Sequence, residues 1–129
     1  MGKFYPLVLA FCCGVFPLRA QSIHFDRLDI NDGLSQNTVT SIIQDDKGFM
    51  WFGTKDGLCR YDGKSFKTFM HDPRFTAGLG NSLIKRLVQD HGHRIWVGTD
   101  SGLYIYDPET EHFSGVPLYA ADGKPVTKP

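Results

Sequence analysis

Trp51 and Trp96 stand 45 positions apart, and sliding the chain by that distance brings residues 39–62 onto 84–107. Nine of the 24 pairs are then identical: Gln44/Gln89, Asp45/Asp90, Trp51/Trp96, Gly53/Gly98, Thr54/Thr99, Gly57/Gly102, Leu58/Leu103, Tyr61/Tyr106 and Asp62/Asp107. Unrelated segments of this length share about one or two identities, so the chain holds a true internal repeat. Val39/Ile84, Ile42/Leu87, Ile43/Val88, Met50/Ile95 and Phe52/Val97 also keep apolar character. A period near 45 that is rich in β-formers predicts one small sheet per unit, as in a propeller blade, and argues against paired-helix repeats.

Turn residues divide each unit into strands. Val39 to Gln44 is β-branched and apolar, and Asp45-Asp46-Lys47-Gly48 supplies a turn whose glycine can take positive φ. Met50 to Thr54, the turn Lys55-Asp56-Gly57, and Leu58 to Asp62 follow, with a fourth strand over Ser65 to Phe69. The second unit repeats the scheme with Leu83 to Gln89, Ile95 to Thr99, Leu103 to Asp107 and a weaker strand near His112-Phe113. Its turn differs, because His91-Gly92-His93-Arg94 places the glycine one position early.

The inner strands are apolar on both faces, as Ile42-Ile43 and Met50-Trp51-Phe52 show, which suits a sheet held between neighbouring sheets. The outer strand Ser65 to Phe69 alternates instead. The expected class is all-β: a partial β-propeller of two four-stranded antiparallel blades whose ring is not closed. In the Trp-x-Gly-Thr motif the indole supplies buried area, and the glycine one pleat further on leaves room for a bulky group of the next sheet. A tryptophan that stacks on a sugar is the alternative. Recurrence of Trp51 and Trp96 in register favours packing, with both indoles shielded between the sheets.

Met1-Gly2-Lys3, an apolar run from Phe4 to Leu18 and the junction Ala20/Gln21 read as a secretory leader over residues 1–20, cleaved between Ala20 and Gln21. An uncleaved anchor is the alternative, although the run is short for a bilayer. Export implies a periplasmic chain with no membrane span in its mature part. The whole sequence carries 14 basic and 14 acidic residues. Loss of Lys3 and Arg19 with the leader would leave it slightly acidic, with no basic face for nucleic acid. Cys59 would then be the only cysteine, which excludes a disulfide framework and suits a small core residue.

The stretch from Asn37 through Gln44-Asp45-Asp46-Lys47-Gly48-Phe49-Met50-Trp51-Phe52-Gly53-Thr54 to Tyr61-Asp62 resembles the two-component regulator propeller repeat. Asp32-Gly33-Leu34-Ser35-Gln36-Asn37 resembles the usual entry to such a propeller, and His71-Asp72-Pro73 its inter-repeat linker. The resemblance implies the amino-terminal part of the periplasmic sensor region of a bacterial hybrid two-component histidine kinase, a family that senses oligosaccharides or related nutrients. It further implies an organisation of signal peptide (1–20), entry strand and loop (21–36), first repeat with linker (37–80), second repeat (81–126) and the start of a third (127–129). On that reading the chain is a truncated, non-catalytic fragment. Its partners are further propeller blades, from a longer chain or by self-association, and an oligosaccharide ligand in the complete protein.

No catalytic, metal or cofactor site is expected. His91 and His93 lack a nearby paired carboxylate or cysteine, and Asp29-Ile30-Asn31-Asp32-Gly33 has its glycine one place early for a calcium loop. Gly78-Leu79-Gly80 lacks the third glycine of a dinucleotide fingerprint. Ligand candidates are the loop residues Lys55, Asp56, Asp100 and Ser101, which follow the same strand in both units, although solvation of a hairpin turn explains each of them as well. Two other functions stay open: the propeller scaffold of an exported enzyme, and a remnant with no independent role. Open stacks leave apolar faces bare, so the isolated chain is expected to be marginally stable or oligomeric.

Overall fold

The computed structural model describes residues 22–75 and 78–126. The expected leader, the junction Ala20/Gln21 and the start of a third repeat lie outside them. Eight strands form in chain order: β1 (Val39–Gln44), β2 (Met50–Thr54), β3 (Gly57–Tyr61), β4 (Phe66–Phe69), β5 (Ile84–Gln89), β6 (Ile95–Thr99), β7 (Leu103–Asp107) and β8 (His112–Val116). They make two four-stranded antiparallel meanders, β1-β2-β3-β4 and β5-β6-β7-β8, and the sheets do not close into a ring. Strand β8 is longer than the stretch around His112-Phe113 that the sequence marks. In the expected entry unit, residues 22–29 pair with no strand, and 30–33 form a turn.

Register repeats along with sequence. Trp51 lies opposite Ile43 and Arg60, and Trp96 opposite Val88 and Ile105. Both first strands carry an irregularity at the same place, between Val39 and Ser41 and between Ile84 and Arg86. The residue it frees in the first unit, Thr40, hydrogen-bonds through its hydroxyl to the carbonyls of Gly53 (2.9 Å) and Ile84 (2.8 Å), so it stitches the two sheets together.

Because side chains alternate across a strand, each sheet has a tryptophan face and an opposite face carrying Phe52 or Val97. The two sheets bury opposite faces. In the first, Trp51, Gly53 and Leu58 are buried against the second sheet, while on the other face Met50, Phe52 and Tyr61 are half-exposed and Thr54 and Cys59 are buried beside Ser35 of the entry segment. In the second, Ile95, Val97 and Tyr106 are buried while Trp96, Gly98 and Leu103 are half-exposed. Sheet two therefore lays its Val97 face on the Trp51 face of sheet one. The core is this interface, a cluster of Trp51, Leu58, Leu79, Ile84, Leu87, Ile95, Val97, Tyr106 and Phe113. Trp51 meets Tyr106 edge-on at 5.0 Å between ring centroids, and Phe69 meets Tyr106 at 5.3 Å and Phe113 at 5.4 Å.

Polar groups frame the apolar contact. Arg60 donates to the Tyr106 hydroxyl at 3.3 Å and pairs with Glu111 at 3.3 Å, and Lys67 joins the same carboxylate. Burial pushes the Tyr106 hydroxyl up to about 12, so it stays protonated as an interface group. The amide of Gln89 donates to Asp46 at 2.6 Å while the backbone amide of Asp46 donates back to Gln89 at 3.1 Å. Cys59 is fully buried, and its sulfur lies 3.1 Å from the Ser35 hydroxyl, consistent with a small core residue.

Two expectations are corrected. The indoles do not share one fate: Trp51 is completely buried, whereas Trp96 is half-exposed because no sheet lies on its face among the described residues. The displaced glycine does not change the second turn. In both units the turn closes with the same two backbone bonds, Gly48 N to Asp45 O (3.0 Å) with Asp45 N to Phe49 O (2.9 Å), and His93 N to Asp90 O (3.1 Å) with Asp90 N to Arg94 O (3.0 Å). Gly48 has φ +90°, and His93 takes its place at φ +65°, in the left-handed region where His, with Asn and Asp, is enriched among residues other than glycine.

Candidate functional site

The repeat motif builds a self-contained clamp. Asp45, six residues before Trp51, accepts the indole N–H at 2.8 Å and the backbone amides of Lys47 (3.0 Å) and Phe49 (2.9 Å). Asp90 does the same in the second unit, accepting from Trp96 at 2.8 Å, Gly92 at 2.8 Å and Arg94 at 3.1 Å. One carboxylate thus fixes both the turn and the ring that follows it. At the other end of the motif, Thr54 donates to the Gly57 carbonyl and Thr99 to the Gly102 carbonyl, each at 2.9 Å, which closes the β2–β3 and β6–β7 hairpins. The Asp45/Asp90 identity was the available signal for these residues, and the motif read only from Trp onward leaves them out.

The hydrogen bonds from Trp96, and then from Arg94 and Gly92, hold the Asp90 carboxyl far below the usual carboxylate range. A carboxyl with a depressed native pKa contributes stability above its unfolded value of about 4, and that contribution is lost as pH falls through the native value. The melting temperature should therefore hold steady from neutral pH to about pH 5 and fall in acid. Asp90→Asn should lower it at neutral pH and flatten the acid limb in a pH series of thermal melts. Superimposable acid limbs for variant and native chain would contradict this role.

The sequence candidates Lys55, Asp56, Asp100 and Ser101 are all exposed, in the β2–β3 and β6–β7 turns. They lie at the same end of their respective sheets. Lys55 N bonds the Thr38 carbonyl (3.2 Å) and Asp100 N the Leu83 carbonyl (3.0 Å), which ties each turn to the segment entering its own sheet. Lys85 approaches Asp100 at 3.4 Å. The rim carries mixed charge on rigid hairpins, an arrangement able to hydrogen-bond a polar, uncharged ligand in several directions.

The opposite end holds a feature the sequence did not mark. There the β1–β2, β5–β6 and β7–β8 turns surround an open cleft of about 330 Å³ lined chiefly by Asp46, His93, Arg94, Asp107 and Glu109. Most of its polar capacity is already used. Asp46 is held below the usual carboxylate range by Gln89, and His93 also meets it; Asp107 is lowered by the Glu109 amide; Arg94 is paired with Asp90 at 2.8 Å. Among the described residues no group of three His, Cys, Asp or Glu side chains is placed to hold a metal ion. In the loop Asp29 to Gly33, Asp29 and Asp32 accept the loop's own amides at 2.8 Å.

Repeated four-stranded meanders stacked face to face, with the Trp51 copy of the motif at their interface, are the blades of a β-propeller whose ring is not closed. The family model of the two component regulator propeller matches residues 33–56. The chain is 39% identical over 75 residues to histidine kinase P4 of Formosa agariphila, a match covering 57% of this chain and 5% of that protein. In structure it is similar to the extracellular domain of a protein assigned as a hybrid two component system from B. thetaiotaomicron, with TM-score 0.69 and 35% identity over 78% of this chain and 14% of that one. A second extracellular domain from B. thetaiotaomicron, assigned to a one component system, shares the fold with TM-score 0.61 at 24% identity, over 73% of this chain and 14% of that one. The chain thus spans a small part of each relative. No helix among the described residues is long and apolar enough to cross a membrane.

Proposed function

We propose that the chain is a non-catalytic, ligand-binding part of a periplasmic sensor in a two-component signalling system, responding to nutrient oligosaccharides. The observation that supports this reading most is the 35% identity and shared fold with an extracellular domain of a hybrid two component system. The clamp chemistry agrees with it: the motif residues are spent on holding the sheets, and their rigid hairpins present Lys55, Asp56, Asp100 and Ser101 to solvent on one rim. Rigid elements carrying exposed polar turns are the usual way a scaffold offers a binding surface. The 35% identical solved relative is an extracellular domain, which agrees with export.

The test is made in the encoding gene, with transcript induction followed across a panel of oligosaccharides. Replacing Lys55-Asp56 and Asp100-Ser101 by Gly-Ser should weaken the response at least about tenfold, a change of about 1.4 kcal/mol in ligand binding, without lowering protein level. Removal of residues 22–126 should abolish it. An intact response after that removal would overturn the sensory reading, and an intact response with only the loops replaced would move the ligand off this rim.

A further inference from the structure

We propose that the connection from β4 to β5 completes the ligand surface on the rim of Lys55, Asp56, Asp100 and Ser101, with Phe75 as the platform for a sugar ring, and that the ligand is a neutral oligosaccharide and not an acidic one. This rests on the sensory reading above, to which it adds a binding residue outside the two turns and a charge class for the ligand.

The connection leaves the first sheet after Phe69 and enters the second at Ile84. Two successive carbonyls near its end hold the two rim turns. Ser82 accepts the Gly57 amide of the β2–β3 turn at 2.6 Å, and Leu83 accepts the Asp100 amide of the β6–β7 turn at 3.0 Å. A ligand that reaches from one turn to the other therefore passes beside this connection. Its start is fastened to the same point: the His71 backbone amide donates to the Ser82 hydroxyl at 2.9 Å, and the His71 ring Nδ1 lies 2.9 Å from the Leu79 carbonyl. Leu79 is itself buried in the inter-sheet core. The connection belongs to the junction of the two sheets and not to the outer face of either.

A single exposed phenylalanine is ordinary on a protein surface. Phe75 differs in how it is held. It is 67% exposed, yet it closes the turn Asp72-Pro73-Arg74-Phe75, in which its amide donates to the Asp72 carbonyl at 3.0 Å and the Asp72 carboxylate accepts the Arg74 amide at 2.9 Å. Pro73 fixes one dihedral of that turn. The Arg74 guanidinium forks onto Asp72 at 2.9 and 2.7 Å, with its Cζ 6.0 Å from the Phe75 ring centroid. A ring ordered before the ligand arrives loses little freedom on binding. The negative face of that ring suits the C–H bonds along one side of a sugar.

The charges around Phe75 cancel. Arg74 is paired with Asp72 at 2.7 Å and Lys85 with Asp100 at 3.4 Å, while Lys55 is followed directly by Asp56. These groups leave no net field to draw an anion. They do place donors and acceptors in close alternation, which matches the hydroxyls of a neutral sugar, whereas a uronate would have to displace existing pairs.

The test is transcript induction by the full-length protein of the encoding gene, with protein level followed by immunoblot. Short oligosaccharides of glucose, galactose, mannose, xylose, arabinose and fructose are the neutral probes, and oligogalacturonate is the acidic one. At least one neutral probe should induce and oligogalacturonate should not. Phe75→Ala should raise the half-maximal concentration of the inducing probe about tenfold at unchanged protein level, and Phe75→Trp should bring it back to within about twofold. Induction by oligogalacturonate alone, or by no neutral probe, would overturn the charge class. A native half-maximal concentration in Phe75→Ala, or a Phe75→Trp variant as weak as Phe75→Ala, would overturn the platform. Those failures leave the sensory reading standing, because it fails by a different result, an intact response after removal of residues 22–126.

Discussion

Trp51→Ala is expected to cost about 3–5 kcal/mol, a large part of the 5–15 kcal/mol that holds a typical domain together, while Trp96→Ala costs about 1 kcal/mol. The two residues have the same motif, the same strand position and the same carboxylate partner at 2.8 Å. They differ in what lies on the ring. Trp51 has no exposed surface and packs on Tyr106 and Phe69, so its removal leaves a cavity at the centre of the inter-sheet core. Trp96 is only partly covered, so its removal leaves no sealed cavity and the cost is chiefly the lost bond to Asp90. Urea titrations of the two variants would show the contrast. Equal losses for the two would mean that the sheets do not stack as described.

Gly53→Ala should destabilise by about 1–3 kcal/mol through overpacking, and Gly98→Ala should be neutral or slightly stabilising. A Cβ on Gly53 would sit 2.6 Å from Ile84 Cγ2 and 3.2 Å from its Cβ, in a side chain that branches at the backbone and cannot swing aside. At Gly98 the nearest atom would be the Arg86 carbonyl oxygen at 3.6 Å, an ordinary contact. Neither glycine needs a left-handed backbone, so the difference between them is one of space. A double variant with Ile84→Ala should recover part of the Gly53→Ala loss, because it removes the clashing methyl, and a double-mutant cycle by thermal melting measures that coupling. Strict additivity would contradict the close approach.

Much of the local structure is legible in the sequence because its causes are local. Gly48 marks a turn that requires positive φ, and the structure gives it φ +90°. The threonine of the motif closes the hairpin over three residues, a bond that needs nothing beyond the turn itself. His93 was not legible, since the neighbouring Gly92 offered the obvious pivot and the chain turned on the histidine instead. The reason is register: the ladder from Gln89 to Ile95 fixes which residue falls at the turn position. The cleft beside Asp46 and Glu109 was equally hidden, because it is bounded by turns from both sheets.

The sequence by itself determined that there are two like units, where their strands run and where their turns fall, since identity at a fixed spacing and short-range backbone preference are properties of one segment at a time. Only the tertiary structure decided which side of each sheet is core. Trp51 and Trp96 carry the same chemistry and the same local geometry, yet one is sealed and the other is half-open. Burial depends on the sheet that lies opposite, and no residue within a unit specifies that neighbour.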